Sequence, residues 1–116
     1  MASVTFNYGL PISVEFICNV AINWAVARKR GTAVSTAWSG STASAPPART
    51  ALIPANTFAA GDLIEWAADV FAPAGAATAY TLTVTVSQGA KSAASTQTGS
   101  VDGGGVQTDQ GSWTCA

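Results

Sequence analysis

Residues 52–86 read LIPANTFAAGDLIEWAADVFAPAGAATAYTLTVTV, and the fold follows from their spacing. In Ile64-Glu65-Trp66-Ala67-Ala68-Asp69-Val70 the apolar Ile64, Trp66, Ala68 and Val70 alternate with Glu65, Ala67 and Asp69, the period of a strand with one wet face. Tyr80, Leu82, Val84 and Val86 alternate in the same way with Thr81, Thr83 and Thr85. Two long strands are therefore expected, Leu63 to Phe71 and Ala79 to Val86, with Pro73-Ala74-Gly75-Ala76 as a hairpin loop. Pro54 to Asp62 is a connection, with Phe58 tucked beneath it and Gly61 free to take a positive φ.

Working towards the N-terminus, Val4-Thr5-Phe6-Asn7-Tyr8 alternates and stops at Gly9, which suits a first edge strand. Ile12 to Cys18 resumes with Ile12, Val14, Phe16 and Cys18 on one face. Pro11 between them is the place for a first strand to switch sheets. Ala21 to Ala27 points Ile22, Trp24 and Val26 inward, and Trp24 is expected to be a core tryptophan. Gly31 permits the turn after Arg28-Lys29-Arg30, and Thr32 to Trp38 is the next strand, with Val34 and Trp38 either buried or touching a partner. Ser39 to Pro47 reads as a loop and Arg49 to Ile53 as a short strand.

After Ser87 the chain changes character. From Gln88 to Gly111 it is Gly, Ser, Thr, Gln and Ala with Val101 and Val106 as the bulky apolar residues, too little to bury a core alone. The expectation is a sandwich domain over residues 1–87 and a C-terminal extension over residues 88–116. If ordered, that extension must lie on a partner subunit or be held to the domain by Trp113.

The chain has 116 residues, enough for one core, and only 9% of them are charged against a usual value of about 25%. A surface so poor in charge suits a subunit of an assembled particle or an extracellular protein, where charge repulsion would oppose contact with neighbours. The net charge of −1 gives no electrostatic footprint for nucleic acid. Arg28, Lys29 and Arg30 form the basic cluster, read as a solvated turn or strand end, with subunit or phosphate contact as the alternatives. Ile12 to Ala27 is interrupted by Glu15, Asn19 and Asn23 and is short of the roughly 20 residues that span a bilayer, so no membrane segment is expected. Met1 to Val14 holds no Lys or Arg, so no secretory leader is expected there.

No histidine is present, which removes the commonest general base and the Ser-His-Asp and Cys-His arrangements. Glu65 and Asp69 share a strand face but lie about 13 Å apart along it, beyond the reach of a paired-carboxylate glycosidase. Asp102, Gly103 to Gly105 and Asp109 lack the alternating ligands of a calcium loop, and the glycines precede no Lys-Ser/Thr pair of a phosphate loop. Cys18 and Cys115 cannot form a CxxC metal pattern; a disulfide between them and two reduced thiols are both open. No catalytic residue, cofactor or metal is assigned, and the chain is read as non-enzymatic.

The segment Ile53-Pro54-Ala55-Asn56-Thr57-Phe58, then Gly61, then Ile64-Glu65-Trp66 resembles the fibronectin type III-like repeats of phage structural and bacterial surface proteins. Their corner before the sixth strand is an apolar residue, two spacers, Gly and an aromatic; Phe58 and Gly61 match it, and Ile64 stands where a tyrosine is frequent. The resemblance implies an all-β, seven-stranded, immunoglobulin-like (fibronectin type III-like) antiparallel β-sandwich with an extended C-terminal tail, and a structural or adhesive role. The expected function is a virion structural protein, such as a phage capsid decoration or tail-associated subunit. Its partners would be further copies or capsid and tail proteins, with Trp38, Trp113, Arg28, Lys29 and Arg30 as candidate contacts. One alternative is a glycan- or surface-binding module of a secreted or cell-surface protein, using Trp38, Trp113 or Tyr8. A pilin-like fibre subunit is the other.

Overall fold

The computed structural model describes residues 5–7, 9–42, 49–71, 77–102 and 105–115, and it is all-β. Nine strands occur among these: β1 (Thr5–Phe6), β2 (Ile12–Cys18), β3 (Ile22–Arg30), β4 (Ala33–Ser41), β5 (Thr50–Ile53), β6 (Leu63–Phe71), β7 (Thr78–Gln88), β8 (Lys91–Val101) and β9 (Val106–Cys115). Alternation produces β6 and β7 where it was expected. Ile64, Trp66, Ala68 and Val70 are buried on one face of β6, and Tyr80, Leu82, Val84 and Val86 on one face of β7.

The strands form two sheets, ordered β1-β9-β6-β3-β4 and β5-β2-β7-β8. Every pairing is antiparallel except β1 with β9, where Thr5 faces Thr114 and Phe6 faces Cys115. The two inner faces meet in a sandwich core. At its centre Phe16 stacks on Trp24 with centroids 4.8 Å apart, and Trp66 meets Phe16 edge-on at 6.2 Å. The chain does switch sheets around Pro11: β1 belongs to the five-stranded sheet and β2 to the four-stranded one.

Several expectations are corrected. The stretch after Ser87 is no free tail: β8 pairs with β7 along its whole length, and β9 lies between β1 and β6. Cross-strand position explains how so polar a segment is ordered, because its glycines face large aromatics. Gly111 is opposite Trp66 and Gly99 opposite Tyr80, and a Cβ on Gly111 would stand 2.7 Å from Trp66 Nε1. The aromatic ring covers the backbone that glycine leaves bare, so little side chain from β9 is needed.

Residues 73–76, expected as a hairpin loop, lie outside the described residues, yet the hairpin itself is ruled out. β6 pairs with β3 and β9, β7 pairs with β2 and β8, and the two stand in different sheets. Among the described residues there are nine strands, where seven were expected. The connectivity also departs from the immunoglobulin pattern, whose last two strands are consecutive neighbours: here the hairpin β7–β8 intervenes between the neighbours β6 and β9. The loop expected from Ser39 to Pro47 begins later, since β4 runs to Ser41; residues 43–48 are outside the described set.

Cys18 is a free thiol. It ends β2 beside the start of β3, where Ile22 faces Val70 and Val70 faces Gln107. Cys115 is the last residue of β9, opposite Phe6 of β1.

Candidate interaction surfaces

The basic cluster is occupied within the chain. The Arg30 guanidinium donates to both carboxylate oxygens of Asp62, Nε to Oδ1 at 2.9 Å and Nη2 to Oδ2 at 2.8 Å, while the Ala59 amide donates to Oδ2 at 2.8 Å. Arg28 Nη1 donates to the Thr57 carbonyl at 3.3 Å, and Lys29 Nζ lies 3.7 Å from Glu65. The Arg28 and Arg30 contacts pin the β5–β6 connection to the end of β3, and Lys29 reaches across to β6. Asp62 is buried, and the Arg30 hydrogen bonds hold its carboxyl well below the usual range, at about 2. Gly61 has the left-handed φ of 87° that lets the chain turn into Asp62.

The candidate tryptophans face inward. Trp38 is half-buried on β4 and stacks on Phe58 with centroids 6.2 Å apart. Trp113 packs against the core from β9, opposite Ile64. Val34, by contrast, is exposed on the outer side of β4. Tyr8 lies outside the described residues. The structure thus does not gather Trp38, Trp113 and Arg28–Arg30 into one site: Trp38 and Trp113 lie on β4 and β9, the opposite flanks of the five-stranded sheet, and the cations close one corner.

Two polar residues that sequence reading passed over prove structural. Tyr80 is buried and its hydroxyl donates to Asp109 Oδ2 at 2.6 Å, tying β7 to β9 across the sandwich. Burial, then the hydrogen bond to Asp109, pushes the phenol up to about 12, so it stays protonated and donating. Gln88 is also buried; its amide accepts from the Asn7 N–H and donates to the Asn7 and Leu10 carbonyls. Only the odd placement of Tyr80 and Asp109, polar atoms in apolar or small-residue runs, hints at these bonds in the sequence.

On the surface, the four-stranded sheet presents a hydroxyl-rich outer face: Thr81, Thr83, Thr85 and Ser87 on β7 lie beside Thr98, Thr96, Ala94 and Ser92 on β8. At one end of this face a groove of about 390 Å³ is lined by Pro11, Ile12, Leu52, Ile53, Pro54 and Ser87. Leu52, 73% exposed, is its most accessible apolar side chain. Among the described residues no cluster of three or more His, Cys, Asp or Glu is placed to hold a metal ion. No helix of the described residues is long and apolar enough to cross a membrane.

The sheet edges differ in how they are closed. β1 has two residues and β5 four, while β4 carries a register shift against β3 at Val26/Ala27. β9 keeps a charged residue, Asp109, turned inward at the rim of its sheet. Short strands, bulges and inward charges are all ways of discouraging edge pairing. β8 has none of them: from Ser92 to Val101 there is no proline and no charge, and its register with β7 is unbroken over 11 residues. Comparison with known proteins finds no family model, no curated protein and no solved structure that matches this chain.

Proposed function

We propose that this chain is a non-enzymatic structural subunit of a virion, such as a capsid decoration or tail-associated protein, which binds neighbouring subunits through its sheet edges and charge-poor surface. The observation that carries the reading is β8, a long terminal strand of its sheet with no charge between Ser92 and Val101. Such an edge is a hazard in a free monomer and a ready contact in an assembly. The low charge of the whole chain supports the same reading, since subunits packed side by side repel less. A chain without histidine favours a binding or building role over acid–base chemistry. The glycan-binding alternative is less well supported, because Trp38 and Trp113 direct their rings to the core rather than offering an open stacking platform.

The experiment is quantitative mass spectrometry of gradient-purified particles from the source of this chain. A fixed copy number relative to the major shell or tail protein is expected. A chain that leaves the particles at each purification step, or never sediments with them, removes the virion reading.

A further inference from the structure

We propose that β8 is a self-association site: two copies of this chain pair β8 to β8, antiparallel about a twofold axis, and join two four-stranded sheets into one. This rests on the assembly reading above and names its first contact.

The hairpin dictates which backbone groups are available. β7 and β8 are joined by the two-residue turn Gly89-Ala90, with Gly89 at a φ of 59° and Gln88 facing Lys91 as the closing pair. In a two-residue hairpin the closing pair exchanges both of its hydrogen bonds, and the bonded character then alternates along the ladder. Ala93, Ser95, Gln97 and Gly99 therefore turn their N–H and C=O groups towards β7. Ser92, Ala94, Thr96, Thr98 and Ser100 turn theirs away from it, to the side where no described strand lies. A neighbouring strand is the partner that satisfies such a row, group for group.

Symmetry selects a second copy. With Thr96 on the axis, Thr96 faces Thr96, Ala94 faces Thr98 and Ser92 faces Ser100, so every outward-directed backbone group meets another. All these side chains are small and neutral, and all stand on the outer face of the sheet, beside Thr81, Thr83, Thr85 and Ser87. Charge sets the direction. Lys91 begins β8 and Asp102 follows its end; antiparallel pairing brings Lys91 of one copy to the same end as Asp102 of the other. Parallel pairing would place like charges together at both ends.

Sedimentation equilibrium of the full chain tests this, with Thr96→Lys and Thr96→Glu as variants. The wild type is expected to dimerise reversibly. Each variant alone is expected to dissociate at least about tenfold more readily, because two like charges meet at the axis, and an equimolar mixture to recover the dimer. Thr96 is exposed and its N–H turns away from β7, so both variants should keep the wild-type circular dichroism. Should they not fold, hydrogen exchange of the wild type gives the answer: amides of Ser92, Ala94, Thr96, Thr98 and Ser100 gain protection as concentration rises. A wild type monomeric up to about millimolar concentration, a dimer indifferent to both variants, or protection gained at β4 or β5 instead overturns the proposal. A β8 dimer from a chain absent from particles removes the virion reading alone. A monomer present in fixed copy number in particles removes the β8 pairing alone.

Discussion

Asp62 is the residue through which the β5–β6 connection is fastened to β3. Its carboxylate accepts three hydrogen bonds, two from Arg30 and one from Ala59. Since its pKa falls from 3.8 to about 2 on folding, its stabilisation is fully present above the unfolded value and is lost as the pH falls through about 2. The guanidinium side of the pair is half exposed, and water there reduces the contribution to about 1 to 2 kcal/mol. Asp62→Asn should therefore lower the urea midpoint at neutral pH, and the gap to the wild type should close towards about pH 2. A gap that is flat with pH would mean that Asp62 is not ionised in the fold. The cluster Arg28-Lys29-Arg30 was legible in the sequence, but its partner was not: Asp62 lies 32 residues from Arg30, and no local pattern pairs them. A second prediction concerns Gly111. A Cβ there would meet Trp66 at 2.7 to 2.9 Å, and the ring is wedged against Phe16, so Gly111→Ala should cost about 1 to 3 kcal/mol by overpacking. Adding Trp66→Phe should recover part of that loss in a double-mutant cycle; strict additivity would show that the two positions do not touch.

Strand by strand, alternation made β2, β3, β5, β6 and β7 readable, because each puts bulky apolar residues on every second position. β8 and β9 escaped because, apart from Val101 and Trp113, their inner positions include Ala93, Ser95, Gln97, Gly99, Asp109 and Gly111, residues usual in linkers. The apolar mass at those places is supplied from across the ladder, by Val86, Val84, Leu82, Tyr80 and Trp66. A strand can thus be encoded by its neighbour's side chains. The consequence is testable with a chain ending at Gln88. If residues 91–115 were an accessory tail, that shorter chain would fold; in the sandwich it lacks the strand between β1 and β6 and exposes Ile64, Trp66, Ala68 and Val70 along β6. Loss of the cooperative urea transition and of the near-ultraviolet tryptophan signal is expected. A sharp two-state transition in the shortened chain would show that the domain closes without β8 and β9.

At the scale of the whole molecule, the order of strands in space is set by contacts that no window of sequence contains. The last ladder joins the two ends of the chain, Thr5 to Thr114 and Phe6 to Cys115, while β3 with β6 and β2 with β7 tie the first half to the second. That is also why the expected hairpin between β6 and β7 failed: local periodicity identifies strands one at a time but does not say which sheet each enters. Sandwiches closed by such distant pairings refold in about milliseconds to seconds, because loop-closure entropy must be lost before the contacts repay it. The β1–β9 clasp spans nearly the full chain and has only two residue pairs, so it should form after the main barrier. Phe6 is fully buried, and Phe6→Ala should cost about 3 to 5 kcal/mol. In a chevron followed by tryptophan fluorescence, that loss should appear almost wholly as faster unfolding, with the refolding arm near its wild-type position. A refolding arm that slows in proportion would place the clasp in the folding nucleus instead, and would mean that the two chain ends find each other before the Phe16, Trp24 and Trp66 cluster is complete.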